Sequence, residues 1–189
     1  LTTVLARTQT RGRGRLGRTW STLPGRSLTA STVVRLPSTP ALRDALPWVL
    51  IAQALATRAA VAARLQDLGH RVDVKWPNDV LVDSSRKIAG ILAEVVRLDE
   101  EEIVVVIGCG VNVSMRAEER PTPAATALSL EGHRPSTRSP ARVIDALLAS
   151  QLQGLDARLD ALVRADGDAR RAGLLGEFTH HCATLGSPV

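Results

Sequence analysis

Between Arg71 and Ile107 four apolar, β-rich segments follow one another with only turn-length gaps, which leaves no room for a helix between them. They are Arg71 to Trp76, Val80 to Val82, Ile88 to Val96 and Ile103 to Ile107, separated by Pro77-Asn78-Asp79, by Ser84-Ser85-Arg86 and by an acidic cluster from Asp99 to Glu102. A parallel crossover needs a much longer connection, usually a helix, so strands this close pair as hairpins. The expected fold is therefore α/β of the α+β type: a mixed, mostly antiparallel sheet with helices packed on it. Alternation in the first segment puts Val72, Val74 and Trp76 on one face and Asp73 and Lys75 on the other, and makes Trp76 a candidate core anchor.

Two earlier stretches, Thr2 to Arg7 and Ser27 to Leu36, read as further strands, the second rich in β-branched residues and bounded by Gly25 and Pro37. Helical spacing covers much of the remainder. Leu42, Leu46, Val49, Leu50, Ala54, Leu55, Val61 and Leu65 trace a helix within Pro40 to Leu68, with Pro47 as a break or kink and Gly69 as its C-cap. Pro140 after Ser139 opens another, through Val143, Leu147, Leu155 and Leu162, that Asp166-Gly167-Asp168 ends; Arg170 to Cys182 is a further short helix. Residues 114 to 137, with Pro121, Pro123 and Pro135, read as irregular. The 189 residues suffice for one sizeable core, and the chain, which opens on Leu, is expected to be a piece of a longer protein. No apolar run reaches the length of a membrane span and the first residues lack a signal-peptide core. Cys109 and Cys182 sit in unrelated contexts, each a buried small hydrophobe in expectation, which suits a reducing cytoplasm.

The stretch joining the first two strands carries the densest chemistry. Arg11 to Trp20 reads Arg-Gly-Arg-Gly-Arg-Leu-Gly-Arg-Thr-Trp inside a loop of about twenty residues, a length that compact domains keep for function or leave disordered. Glycines let backbone N–H groups approach an anion closely, and arginine forks grip carboxylate or phosphate through paired hydrogen bonds. Residues 1 to 35 hold seven arginines and no Asp or Glu, so the rest of the chain is slightly acidic despite the net charge of +5. An anion or nucleotide cradle and a flexible nucleic-acid-binding segment both fit these residues. The second would call for stacking aromatics and for basic residues continuing onto adjacent faces, and residues 36 to 189 supply no basic excess.

Lysine is scarce: only Lys75 and Lys87 stand among 24 cationic residues. Lys75, at a strand end before the stiff Pro77 turn, reads either as a positioned cation for charge developing at a phosphate or as a solvated surface lysine. Within Lys87 to Glu94, Gly90 interrupts an apolar strand, a sign of a bulge, a close approach by a ligand or plain packing against a neighbouring strand; Glu94 shares its side. Gly108-Cys109-Gly110-Val111-Asn112-Val113 ends a buried strand with two glycines and an amide that can read an adenine edge or merely tolerate a left-handed turn. It lacks the third glycine and following helix of a dinucleotide fingerprint. His70, His133, His180 and His181 show no metal spacing with the cysteines, and no Ser-His-Asp arrangement is visible, which disfavours zinc and triad chemistry.

Taken in this order, the motifs resemble the biotin protein ligases. The shared pattern is Gln9-x-x-Gly12-Arg13-Gly14-Arg15-x-Gly17-Arg18-x-Trp20, then Lys75-Trp76-Pro77-Asn78-Asp79, then Lys87-x-Ala89-Gly90-Ile91-Leu92-x-Glu94, then Gly108-x-Gly110-x-Asn112-Val113-x-Met115. The resemblance implies the catalytic fold shared with lipoate ligases and class II aminoacyl-tRNA synthetases, and a cytoplasmic ligase that activates biotin with ATP as biotinyl-AMP before passing it to a lysine. It assigns biotin contacts to Gln9, Arg13, Gly14, Arg15 and Lys75, with Lys75 and Arg15 catalytic, and nucleotide contacts to Arg18, Trp20, Asn112 and Met115. Mg²⁺ would neutralise the triphosphate through ligands the sequence does not name. The implied partner is the biotin acceptor domain of a biotin-dependent carboxylase, with no membrane and no DNA, and with a homodimer among the assemblies allowed. Residues 1–182 would be an N-terminally incomplete catalytic domain, missing the family's Ser-Thr-Asn segment, and residues 183–189 the start of a truncated SH3-like barrel. Arg11 lies outside the pattern and is expected to face solvent. A lipoate or other acyl-adenylate-forming protein ligase is the nearest rival. The glycine-rich loop is expected to be mobile when empty and to close over the adenylate.

Overall fold

The computed structural model describes residues 1–22, 24–134 and 140–186. Ser139 as a helix cap, Pro135 and the last three residues of the 183–189 segment lie outside them. In chain order the described residues form β1 (Thr2–Leu5), the two-residue strands β2 (Gly12–Arg13) and β3 (Thr19–Trp20), β4 (Ser27–Pro37), α1 (Pro40–Asp44), α2 (Leu46–Leu65), β5 (Val72–Lys75), β6 (Asp79–Val82), β7 (Arg86–Leu98), β8 (Glu102–Asn112), α3 (Pro140–Arg164) and α4 (Leu174–His181). Six strands make one sheet in the order β1-β4-β8-β7-β6-β5, every pair antiparallel, while β2 and β3 form a separate hairpin. Among the described residues, parallel pairing is confined to two isolated bridges, Val74 to Cys182 and Lys87 to Ala125.

Period-two alternation decides which face the helices cover. On β4, Leu28, Ala30, Val34 and Leu36 are buried; on β8, so are Ile103, Val105, Ile107, Cys109 and Val111. α2 and α3 pack against this face, bringing Leu55, Val61, Leu147, Leu155 and Leu162 into one core. Each such aliphatic side chain contributes about 1.5–3 kcal/mol on burial. The Thr39 hydroxyl caps α1 by accepting from the Leu42 amide at 3.1 Å.

Several expectations change. The break in the first helical stretch falls at Ala45 rather than at Pro47, which sits in the first turn of α2 where its missing N–H costs little. With its extension to Leu68, α2 is by length and composition apolar enough to cross a membrane, against the expectation that no run is; more than half of that window is buried inside the fold. Gly69 ends it with φ of 74°, as the sequence suggests. β8 continues past Ile107 to Asn112, with both glycines inside the strand. On β5, Val72 and Val74 are buried and Lys75 is exposed, in keeping with the alternation, but Asp73 is fully buried as well, paired with Arg71 Nε at 2.7 Å, and Trp76 is no core anchor, being 58% exposed. The turn at Pro77 lifts Trp76 off the sheet, and its amide donates to Thr184 Oγ1 at 3.0 Å as the chain returns beside β5.

Candidate active site

The sheet face opposite the helices floors a cavity of about 720 Å³. Strand registers align one row of residues across it: Thr29 of β4, Gly110 of β8, Gly90 of β7, Asp79 of β6 and Lys75 of β5. The second and third are glycines, and the Trp20 indole lies on them. A Cβ on Gly110 would stand 2.5 Å from Trp20 Cε2, and one on Gly90 3.1 Å from Trp20 Cζ3. Gly90 therefore marks a close approach, made by a side chain of the same protein. Lys87 Nζ sits 5.7 Å from the indole centroid, in reach of its electron-rich face, and 2.6 Å from Asp79 Oδ1. Trp20 Nε1 is buried without a hydrogen-bond partner, a cost on the order of 1–3 kcal/mol unless a ligand supplies an acceptor.

The segment carrying Trp20 is a compact hairpin. Gly12 pairs with Trp20 and Arg13 with Thr19, and the Gly14 amide donates to the Arg18 carbonyl at 2.7 Å. Any side chain at Gly12 would collide with the Trp20 carbonyl at 2.1 Å. Leu16 and Gly17, with φ of 57° and 72°, turn the tip. Arg13, Arg15 and Arg18 are exposed along this hairpin and line the same cavity as Lys75. Several cations thus surround one space, the arrangement needed to bring two anions together before any proton is moved.

Of the residues singled out from the sequence, Gln9, Arg13, Gly14, Arg15, Arg18, Trp20, Lys75 and Asn112 all line the cavity. Arg11 is exposed, as expected, and it too stands at the cavity wall. Met115 is not at the wall; it is buried beside Ser129, whose hydroxyl contacts both its amide and its carbonyl at 3.2 Å. Glu94 is exposed within the cavity. Asn112 is buried, and its Nδ2 donates to the Thr126 carbonyl at 2.9 Å.

Sequence reasoning missed Thr29 and Ser31, which alternation along β4 places on the cavity face. Thr122 and Ala125 carried no local signal, because hydrogen bonds between Lys87 and Ala124 and between Thr126 and Lys87 bring that irregular segment to the rim. Cys109 lies between Gly108 and Gly110 with its thiol turned to the helices, near Thr57 Oγ1 and Gln151 Oε1, and burial pushes that thiol up to about 11.

His70, Asp83 and Glu131 gather potential metal-ligand atoms within 4.8 Å of one another. Arg86 already fills this cluster, its guanidinium 2.7 Å from Asp83 Oδ2 and 2.7 Å from Glu131 Oε1, so it is a charge network rather than a cation site.

With helices on one face of the sheet and a glycine-floored, arginine-rimmed cavity on the other, the chain has the makings of an anion-binding site, and residues 1–112 match the model of the biotin/lipoate A/B protein ligase family. The chain belongs to that family, whose named members are ligases. It is 37% identical over 127 residues to the biotin–[acetyl-CoA-carboxylase] ligase of Mycobacterium tuberculosis, covering 67% of this chain and 45% of that protein. It is 35% identical over 159 residues to the ligase of the same name from Paracoccus denitrificans, covering 83% and 63%. The solved biotin protein ligase of Aquifex aeolicus in complex with biotin and ATP superposes with a TM-score of 0.53 at 28% identity, over 82% of this chain and 60% of that one. The chain thus spans less than two thirds of each of these relatives.

Proposed function

We propose that the protein joins biotin to a lysine of the acceptor domain of a biotin-dependent carboxylase, through biotinyl-5'-AMP. The observation that carries this reading is the single cavity in which Lys75, the arginine hairpin and the Trp20-covered glycine floor meet. In the first step a biotin carboxylate oxygen attacks the α-phosphorus of ATP, the bond from that phosphorus to the β-phosphate bridge breaks, and pyrophosphate leaves. In the second, a neutral acceptor lysine attacks the carbonyl carbon of the mixed anhydride, the amide forms, AMP leaves and the amine's proton passes to water.

Lys75 and Arg15 stabilise charge shared between carboxylate and phosphate, and Gln9, Arg13 and Gly14 hold the biotin end. Trp20 offers a flat surface, and Asn112 a polar edge, to the adenine; Arg18 closes the hairpin through its backbone. Met115 has no direct contact in this reading. Of the cavity carboxylates, Asp79 is engaged by Lys87 and Glu94 has no ion-pair partner among the described residues, so Glu94 is the carboxylate that would hold a Mg²⁺, whose charge would offset that of the triphosphate. We read residues 1–182 as the catalytic body and 183–189 as the lead into a small SH3-like barrel, and assign the protein to the reducing cytoplasm, which suits two free, buried cysteines.

The test is exchange of labelled pyrophosphate into ATP by the full-length protein. Exchange should require biotin. Exchange supported by lipoate and not by biotin would replace the substrate, and none with either would remove the adenylation step.

A further inference from the structure

The most heavily bonded buried charge lies outside the catalytic cavity. Glu131 is 6% exposed and accepts from Arg86 Nε at 2.7 Å, from Arg86 Nη2 at 2.8 Å and from Thr126 Oγ1 at 2.6 Å. Asp83 holds the other edge of Arg86 at 2.7 Å, and His70 bridges Asp83 Oδ2 and the Glu131 carbonyl at 2.9 and 3.1 Å. A buried carboxylate is tolerated only with such partners, and breaking one of them is costly.

The network ends on a residue whose every polar group is in use. The Thr126 hydroxyl goes to Glu131, its amide donates to the Lys87 carbonyl at 2.9 Å, and its own carbonyl accepts from Asn112 Nδ2. On either side, the Lys87 amide donates to Ala124 and the Leu128 amide to the Asn112 carbonyl, at 2.7 and 3.2 Å. Residues 124–131 therefore clasp the start of β7 to the end of β8, where Lys87 and Asn112 meet the cavity. A donor bond from Nδ2 to a carbonyl fixes which way the Asn112 amide is turned and leaves Oδ1 as an acceptor. An acceptor suits an exocyclic amine such as adenine's and repels the carbonyl that guanine carries at the equivalent position.

We propose that Glu131 and Thr126 are positioning residues that hold the Asn112 amide in the orientation that selects the adenine base. The inference rests on the nucleotide reading above. It is tested in the full-length protein with Thr126→Val, which keeps shape but loses the hydroxyl, with Thr126→Ser, which restores it, and with Glu131→Gln, which sets an amide nitrogen against Arg86 Nη2 and so loosens the acceptor that holds that hydroxyl.

Two readouts are needed. In pyrophosphate exchange, Thr126→Val and Glu131→Gln should raise KM for ATP about tenfold, the worth of one misplaced hydrogen bond, and narrow the preference for ATP over GTP. KM for biotin should stay unchanged, and Thr126→Ser should restore the ATP value. By ¹⁵N NMR, the Asn112 side-chain amide protons should exchange with solvent faster in Thr126→Val and Glu131→Gln than in the parent. Equal rises in both KM values, or unchanged Asn112 exchange, would overturn the proposal. A parent protein with no exchange activity would sink the ligase reading alone, because the NMR readout needs no substrate.

Discussion

On the helix side of the sheet, Leu28 and Ala30 of β4 and Cys109 and Val111 of β8 interlock with α2 and α3; on the cavity side, the residues between them are Thr29, Gly108 and Gly110. The same two strands thus build a close-packed core and an open floor, separated by one step of the backbone. Glycine inside a strand weakens it and leaves nothing to pack. Here Gly110 and Gly90 form a surface that the Trp20 ring covers, so the local loss of packing creates room for an aromatic side chain and whatever it will stack on. Stability is concentrated on one face and chemistry on the other, and substitutions on the two faces should therefore fail in different ways.

The sharpest separation is expected at Lys75 and Arg15. Both are exposed, so replacing either with alanine should leave the melting temperature close to the parent's while lowering biotin-dependent pyrophosphate exchange by about 10² to 10³, the scale for one charge contact made in the transition state. Near-normal exchange in both variants would remove them from the mechanism. The converse is Leu155→Ala, in a fully buried position of α3, which should cost about 2–5 kcal/mol in denaturant unfolding. Its kcat at a temperature where it remains folded should match the parent's, and a large fall in kcat would show that the two faces are coupled.

Gly110→Ala probes the boundary itself. The new methyl would overlap the indole of Trp20, so either the hairpin lifts or the strand shifts, at about 1–3 kcal/mol. If the hairpin lifts, trypsin should cut at Arg15 and Arg18 faster than in the parent. An unchanged cutting pattern together with unchanged exchange would mean that Trp20 does not depend on the glycine floor.

Much of the core was legible because alternation and helical spacing are local: β4 through its β-branched run, α2 and α3 through their leucines. The charged hairpin and Lys75 were legible as motifs. Their convergence was not, because the row from Thr29 to Lys75 depends on the registers of five strands, and register is set by pairings the sequence does not display. Trp76 was misread as a core anchor for a related reason. Alternation assigns faces correctly only while the chain stays in the sheet, and at Pro77 it leaves. The 124–131 clasp gave no periodic signal, since its bonds reach back to Lys87 and Asn112 from an irregular segment.

Cys109 tests how dry the boundary between the faces is. Its backbone belongs to the cavity wall and its thiol to the core, and burial raises the thiol from 9.0 to about 11. A raised acid means that the folded protein keeps a proton the unfolded chain gives up, so stability is unaffected below about pH 9 and falls as pH rises from there toward 11. By pH 10 the loss should be about 1 kcal/mol. Comparing the parent with Cys109→Ala cancels the other titrating groups, so the difference in unfolding free energy between pH 8 and pH 10 should isolate this thiol. Equal slopes in the two proteins would mean that water from the cavity reaches the sulfur and that the sheet separates its two faces less completely than its packing suggests. A steeper fall in the parent, with slow thiol labelling at pH 8, would place the dry boundary at Cys109 itself.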